Sequence, residues 1–515
     1  MRRQVAPDAS GNSMASYSST VGFIFIFNLI VGTGALTLPA VFVKAGWCLS
    51  LIVISILALV SYMTVTFVIE SMACSNAIQI WQNLQLLRRH RNSVDLDTQH
   101  YNQHTDDSHN DVHSEELETM PLNIENEEFQ YYQLTYKFEL AEMAALFFSE
   151  IGRTLFYLCF IIYLYGDLSI YSAAIARTLR DVICDHGDNT ISNNRSDVMI
   201  FGSEDFKLSA NRTCWEEHVI SRLSMYRIIL VFFTLIVGPI VSLSIQKTKY
   251  LQIFTAVLRW LAFTFMICIT TKMLITSGPK GHPVAVNVYG SPSLFGACVY
   301  SFMCHHSLPS LLAPLRNKEK VIQILSFDYI LICAFYIVLA MTGIFAFEHV
   351  DELYTLNFLP YNVKYEDFLT GLLIVINYFL SLFPVFALST SYPVIAITLK
   401  NNLKILFLDM TQYDSYHIIT RSIFPLLAII PPFCVTYFTE SLSTLVAFTG
   451  TYAGAGIQYI IPVCLVYFSR STCSELLGCG IVNQYQSPFK SKIWLGLVIL
   501  WSIICVSLVT INLLG

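Results

Sequence analysis

The chain has 515 residues, a net charge of −6, 55% hydrophobic residues and only 13% charged ones, about half the charged share of a soluble globular domain. Mean hydropathy is +0.57, and many apolar runs are long enough to cross a bilayer as helices. That excludes a string of soluble domains and predicts an all-α, polytopic membrane protein.

Eleven transmembrane helices are expected, at 20–43, 47–73, 151–181, 225–245, 250–275, 292–314, 326–347, 367–397, 417–438, 441–468 and 491–513. Residues 1–19 form a polar arm with Arg2 and Arg3 and no small-residue cleavage site, so span 1 is expected to stay in the protein. Span 1 reads FNLIVGTGALTLPAVFVKAG from Phe27 to Gly46. In hydrocarbon every backbone N–H and C=O needs a partner. Gly32, Thr33 and Gly34 lower helix propensity at mid-span, and Pro39 removes a donor soon after. Two readings stay open: an unwound turn lining a cavity, or a small-residue notch that packs on a neighbouring helix.

The loop between spans 2 and 3, 77–138, is expected to be cytosolic. Between Asn92 and Glu128 it holds eleven Asp or Glu and no Lys or Arg, leaving the rest of the chain at +5. Such composition predicts disorder. His100, His104, His109 and His113 lie there as well; a solvated acidic loop is a better reading of them than a metal site. The stretch FELAEMAALFFSEIG that follows reads as an amphipathic helix leading into span 3. Within span 3, Asp167 is an acid deep in an apolar run. It is a proton carrier, one half of a structural pair with Arg259 of span 5, or a capped interior acid.

Loop 183–223 carries two N-x-[ST] sequons, at Asn194 and Asn211, and two cysteines, Cys184 and Cys214. The sequons place this loop on the lumenal or extracellular face, where the two thiols are expected to pair. Basic residues give the same orientation independently. Lys247, Lys249, Arg316, Lys318, Lys320, Lys400, Lys404, Lys490 and Lys492 all fall on the cytosolic side if the N-terminus is cytosolic and the C-terminus is lumenal or extracellular. The remaining cysteines lie in or beside apolar runs, as small buried hydrophobes do.

Span 6 reads LFGACVYSFMCHHSLPSLLAPL from Leu294 to Leu315, with Ser301, Phe302, Cys304, His305 and His306 at its middle and Pro309 beyond. Histidines at that depth face an aqueous path or bond a neighbouring helix; both remain open for His305, and the structural role is expected for His306. Spans 1 and 6 are thus both interrupted, five spans apart, and an odd offset makes them run in opposite directions. An inverted repeat of five plus five helices, 20–275 and 292–468 with span 11 at 491–513 added, predicts that pairing. The N–H groups freed at the start of a second half-helix suit a carboxylate. The carbonyls freed at the end of a first half-helix suit a cation or ammonium. Together they suit a small zwitterion.

These stretches resemble a known family. NLIVGTGALTLP (Asn28–Pro39) is similar to the span 1 motif of the amino acid/auxin permeases, especially the sodium-coupled neutral amino acid transporters. YSFMCHHSLPSLLAPL (Tyr300–Leu315) resembles their span 6, and GTYAGAGIQYIIP (Gly450–Pro462) their glycine-rich span 10. YLYGDLSIY and QKTKYLQI narrow the match to an animal branch whose name describes no activity. The resemblance implies alternating access, with a substrate carboxylate held by the backbone of Gly32, Thr33 and Gly34. It places Asn28 where sodium-coupled members have an asparagine linked to sodium binding. Span 8 offers Ser381, Ser389 and Thr390 as hydroxyl partners, but its Thr-x-Pro register departs from the family, which puts sodium coupling in doubt.

The leading expectation is a secondary transporter of a small amino acid, coupled to sodium or protons. The alternative is a non-transporting sensor that signals through the acidic loop, where a cytosolic protein would dock. The expected partners are the small zwitterion and the lipid bilayer, with no nucleic acid and no cofactor beyond a coupling ion. An enzyme is not expected, since no HExxH, GxSxG or phosphate-cradling loop is present; nor is a channel, for want of a filter-like loop. YYQL at Tyr131–Leu134 resembles a tyrosine sorting signal without choosing between lysosome and plasma membrane. Enzymatic removal of N-glycans is expected to shift the gel mobility of the intact protein, and Asn194→Gln with Asn211→Gln to abolish that shift. A glycan mapped to the acidic loop would invert the topology.

Overall fold

A computed structural model describes residues 17–102, 131–184, 213–215, 220–242, 249–360, 368–408, 418–478 and 480–514. Asn194 and Asn211 lie outside them, as do 103–130 of the acidic loop. The described residues are helical, without a strand. Among the described residues, eight helices are long and apolar enough to cross a membrane, and a ninth span arises if Val21–Ile30 and Thr33–Ala45, bent by 49°, are taken together.

The chain begins with α1 (Ser19–Ile30) and α2 (Thr33–Ala45), which meet at the break in span 1. Next, α3 runs from Trp47 to Asn102, well past the expected end at residue 73, so residues 77–102 of the expected loop are helical. The physical reason is visible in the sequence: no Gly or Pro occurs between Trp47 and Asn102, so nothing stops the helix. The expected lead-in to span 3 splits in two. α4 (Leu140–Phe147) starts at a capping box in which Glu139 and Glu142 reach each other's backbone, and it buries Leu140, Met143, Ala144 and Phe147. Phe148 ends it, and Ser149 caps α5 (Glu150–Ile183). At the far end of α5 a disulfide joins Cys184 to Cys214, with Cα atoms 4.6 Å apart.

α6 (Arg222–Ser242) and α7 (Lys249–Ser277) follow. Span 6 is two short helices, α8 (Ser291–Ser301) and α9 (Leu308–Leu312). The chain continues through α10 (Val321–Ala346), α11 (Phe368–Phe407), α12 (Ile418–Phe438), α13 (Leu442–Thr449), α14 (Ile461–Leu477) and α15 (Lys492–Leu514). Between α13 and α14 the rod is wound as π-helix over Gly450–Gly454 and Gly456–Ile460. A Cβ at Gly450 would lie 2.1 Å from the Gly296 carbonyl oxygen, so this glycine is what lets span 10 touch α8.

The two interrupted helices lie antiparallel. Gly34, at the start of α2, abuts Ser301 at the end of α8, while Lys44, at the end of α2, meets Gly290 before α8. Tyr17, just ahead of α1, donates to the Leu311 carbonyl of α9. The breaks therefore sit level with each other.

Each end of the bundle has its own ion pairs. Near the Arg470 end of α14, the guanidinium holds Glu70 of α3 through two bonds of 2.8 and 2.7 Å, and the Ser487 amide adds a third at 3.0 Å. At the disulfide end, Arg177 of α5 pairs with Glu352, Lys44 lies 3.8 Å from it, and Ser443 donates to it at 2.8 Å. Arg180 reaches Glu440 at 2.8 Å and Arg222 reaches Asp181 at 2.7 Å.

Burial alone would raise the Glu352 carboxyl, but Arg177 and Lys44 outweigh it and hold the group at about 2. An unfolded Glu titrates near about 4.3. A depressed carboxyl stabilises the fold above its unfolded value, and that contribution fades only as pH falls toward the folded one. The gap in melting temperature between wild type and Glu352→Gln is therefore expected to stay constant from about pH 7 to about pH 5 and to narrow below about pH 4. A gap that closes between pH 7 and 5 would contradict this ion pair.

Candidate substrate site

The break in span 1 is short. α1 ends at Ile30, Val31 donates back to the Phe27 carbonyl at 2.9 Å, and Gly32 is the extended residue (φ −118°, ψ −150°) before α2. The first amides of α2 have no partners within their own helix. The last carbonyls of α1 are equally freed, and side chains have taken them. Arg259 of α7 donates to the Asn28 carbonyl at 2.6 Å and the Val31 carbonyl at 3.1 Å, with the Asn28 side-chain oxygen at 3.4 Å. The hydroxyl of Tyr336 on α10 lies 3.0 Å from the Ile30 carbonyl and 2.9 Å from the Ser301 carbonyl, bridging the two breaks.

One of the alternatives for Asp167 is set aside here, and the expectation for the freed carbonyls is corrected. Arg259 forms no pair with Asp167 among the described residues. Its charge goes instead to the carbonyls of α1, and the Asp167 carboxylate accepts from the Tyr300 hydroxyl. The freed carbonyls, expected to receive a cation or ammonium, already carry a guanidinium and a phenol. The physical cause is reach: Arg is long enough to place a permanent charge at the negative end of the α1 dipole.

The amide end faces a polar cluster. Thr33 Oγ1 lies 3.2 Å from the Tyr300 hydroxyl, which donates on to Asp167. Thr33, Tyr300 and Asp167 are all buried. Ser301 Oγ donates to the Ala297 carbonyl at 2.7 Å and packs on Gly34. Gly32, Thr33, Gly34 and Ser301 thus share one face with Tyr300 and Asp167.

Phe302, Cys304 and His305 turn away from that face. Phe302 stacks on Tyr329 of α10 with ring centroids 6.0 Å apart. Cys304 Sγ lies 3.3 Å from the Tyr329 hydroxyl, and His305 Nε2 lies 2.9 Å from Thr64 Oγ1 on α3. They form a second cluster with Ser61, whose hydroxyl is 3.0 Å from that of Tyr329. His306 packs its ring on Phe160 and Tyr163 of α5. Ser381 is buried on α11 and donates to the Thr355 carbonyl at 3.4 Å; no hydrogen bond joins it to Asn28. Tyr300, Tyr336 and Asp328 were not singled out from sequence. Asp328 carried the same signal as Asp167, an acid inside an apolar run. The two tyrosines carried none, because aromatics in a span are ordinary.

Comparison with known proteins matches residues 135–475 to the family described as "Transmembrane amino acid transporter protein". The chain belongs to this family. The match begins after the first interrupted helix, so half of the amide-lined site lies outside it. Along nearly its whole length the chain is similar to proteins named Transmembrane protein 104. The Drosophila melanogaster homolog is 66% identical over 508 residues, 97% of each chain. The human protein is 40% identical over 503 residues, again 97% of each. A Dictyostelium discoideum homolog is 31% identical over 96% of this chain and 97% of its own, which extends the branch beyond the animals expected from sequence. Within this transporter family the closeness of the two broken helices is itself testable. A Cβ at Gly34 would lie 2.5 Å from Ser301 Oγ and 2.6 Å from Ser301 Cα, whereas one at Gly32 meets only the Ile30 carbonyl at 3.9 Å. Gly34→Ala is expected to cost about 1–3 kcal/mol through overpacking, read as a lower melting temperature of the purified protein, with Gly32→Ala near wild type. Equal stability of the two variants would mean that the helices stand further apart.

Proposed function

We propose that this protein is a secondary active transporter of a small amino acid or related zwitterion, working by alternating access across eleven spans arranged as a five-plus-five inverted repeat. The observation that carries this reading is the amide-lined start of α2 set against the buried Thr33–Tyr300–Asp167 cluster, in a chain of an amino acid transporter family. Helix N-termini bind carboxylates, and broken helices at level positions mark transporter sites. The substrate carboxylate lies against Gly32, Thr33 and Gly34, and Tyr300 with Asp167 faces its ammonium.

Protons fit the coupling better than sodium. The Asn28 and Val31 carbonyls, where a sodium ion would be held, are satisfied by Arg259, a cation that cannot leave. Asp167 keeps a hydrogen-bonded carboxyl beside the substrate face and supplies a group that gains and loses a proton. The sequons and the basic loops support a cytosolic N-terminus, with the Cys184–Cys214 end lumenal or extracellular.

The test is a thermal-shift screen of the proteinogenic amino acids at several pH values, with and without sodium, followed by uptake of the labelled hit into proteoliposomes. A ligand that binds the folded state raises the melting temperature by mass action. Gly32→Ala favours continuous helix by roughly 1 kcal/mol and is expected to weaken the hit about tenfold, the loss of one charge-assisted hydrogen bond. Binding without uptake would make the protein a sensor, and wild-type affinity in Gly32→Ala would remove the amide site.

A further inference from the structure

The second cluster, beyond the break in span 6, has no role in the substrate site. Its neighbour on α10 is Asp328, which is completely buried, and neither of its carboxylate oxygens has a hydrogen-bond partner. Asp328 precedes Tyr329, which bonds Cys304 and Ser61, and it lies within electrostatic reach of the Cys304 thiol. Next to Cys304 is His305, also completely buried, whose Nδ1 has no partner. Its Nε2 lies 2.9 Å from the Thr64 hydroxyl, which also lies within reach of the Ser61 and Val60 carbonyls.

Among the described residues no cation is paired with Asp328. α3 brings Ser61, Tyr62 and Thr64 and has no charged residue before Glu70, which Arg470 holds. α1 and α8 carry no charged residue, and the charge nearest on α2 is Lys44 at its far end. The Arg259 guanidinium of α7 is taken by Asn28 and Val31. Ahead of α10, Lys318 donates to the Leu134 carbonyl at 2.5 Å, while Glu319 and Lys320 are exposed. An ionised carboxylate in such a place costs more than its protonation.

We propose that Asp328 is a second proton-binding site of the transport cycle, on the opposite side of the span 6 break from Asp167. Asp328 accepts one proton and becomes neutral in the closed state. When the path opens toward the cytosol it returns that proton to water, and no electrons move. The proposal rests on the transporter reading for its place in a cycle, but proton binding by Asp328 stands apart from it.

The test uses the full-length protein in lipid nanodiscs, titrated with pH and followed by infrared spectroscopy of the carbonyl stretch of protonated carboxylic acids. Wild type is expected to show this band near neutral pH and to lose it as pH rises. Asp328→Asn is expected to lack one component of the band and to melt at or above the wild-type temperature, because an acid without partners holds nothing together. Asp167→Asn removes a different component. In proteoliposomes loaded with pyranine and given a mixture of proteinogenic amino acids, Asp328→Asn is expected to lose amino-acid-driven proton entry while labelled amino acid exchange persists. An unchanged infrared band, a band that survives to alkaline pH, or proton entry equal to wild type each overturns the proposal. Absence of any uptake by wild type, with the Asp328 component present, overturns the transporter reading and leaves the proton site standing.

Discussion

A helix broken in hydrocarbon must find new partners for every backbone group it frees. Here the two sides of the break in span 1 are treated unequally. Arg259 and Tyr336 satisfy the carbonyls of Asn28, Ile30 and Val31 from within the protein. The guanidinium also places a positive charge at the negative end of the α1 dipole, the favourable sign. Among the described residues, no side chain caps the start of α2. That asymmetry gives the site a single polarity. On the reading proposed above, the amide side is the one that meets an anionic group.

The same capping couples the two breaks. Tyr336 holds a carbonyl from each break, so α1 and α8 cannot shift independently without losing a shared donor. Gly34 presses on Ser301 at a distance that admits no methyl group, which keeps the two half-helices in register. Around this joint the polar side chains divide. Thr33, Tyr300 and Asp167 lie toward α2 and α5, while Cys304, His305, Tyr329 and Asp328 lie toward α3 and α10. The break in span 6 is therefore a partition with a carboxyl on each side of it.

The helical membrane architecture was legible because long apolar runs have few other fates. The breaks were legible because Gly32, Gly34 and Pro309 contradict a continuous span. Side-chain direction was not. The sequence placed Ser301, Phe302, Cys304 and His305 in one site, but an irregular segment of six residues follows no helical period, so neighbours in sequence point to different walls. Partner choice was equally hidden. Arg259 and Asp167 were the evident opposite charges, yet freed carbonyls compete for a guanidinium as well as a carboxylate does, and nothing in a linear sequence weighs them. The end of α3 was missed for another reason. The acidic composition after Asn92 suggested disorder, while the absence of any Gly or Pro through Asn102 let the helix run on.

The ends of the bundle complete the physical picture. At the disulfide end, Lys44, Arg177, Arg180 and Arg222 interlock with Glu352, Asp181 and Glu440, drawing together α2, α5, α6, the segment after α10 and the turn before α13. At the other end a cavity of about 700 Å³ lies among Ser18, Thr135, Arg316 and Tyr485. The disulfide end is thus laced by charges from several segments, while the other end pairs an open hollow with the Arg470–Glu70 bridge. The paired side chains at the disulfide end are largely buried, so removing one partner of a pair costs about 3–5 kcal/mol rather than the small cost of a surface pair. Glu352, held at about 2 by Arg177 and Lys44, keeps its charge in any compartment a cell maintains. The charge of this cluster therefore does not follow the pH outside.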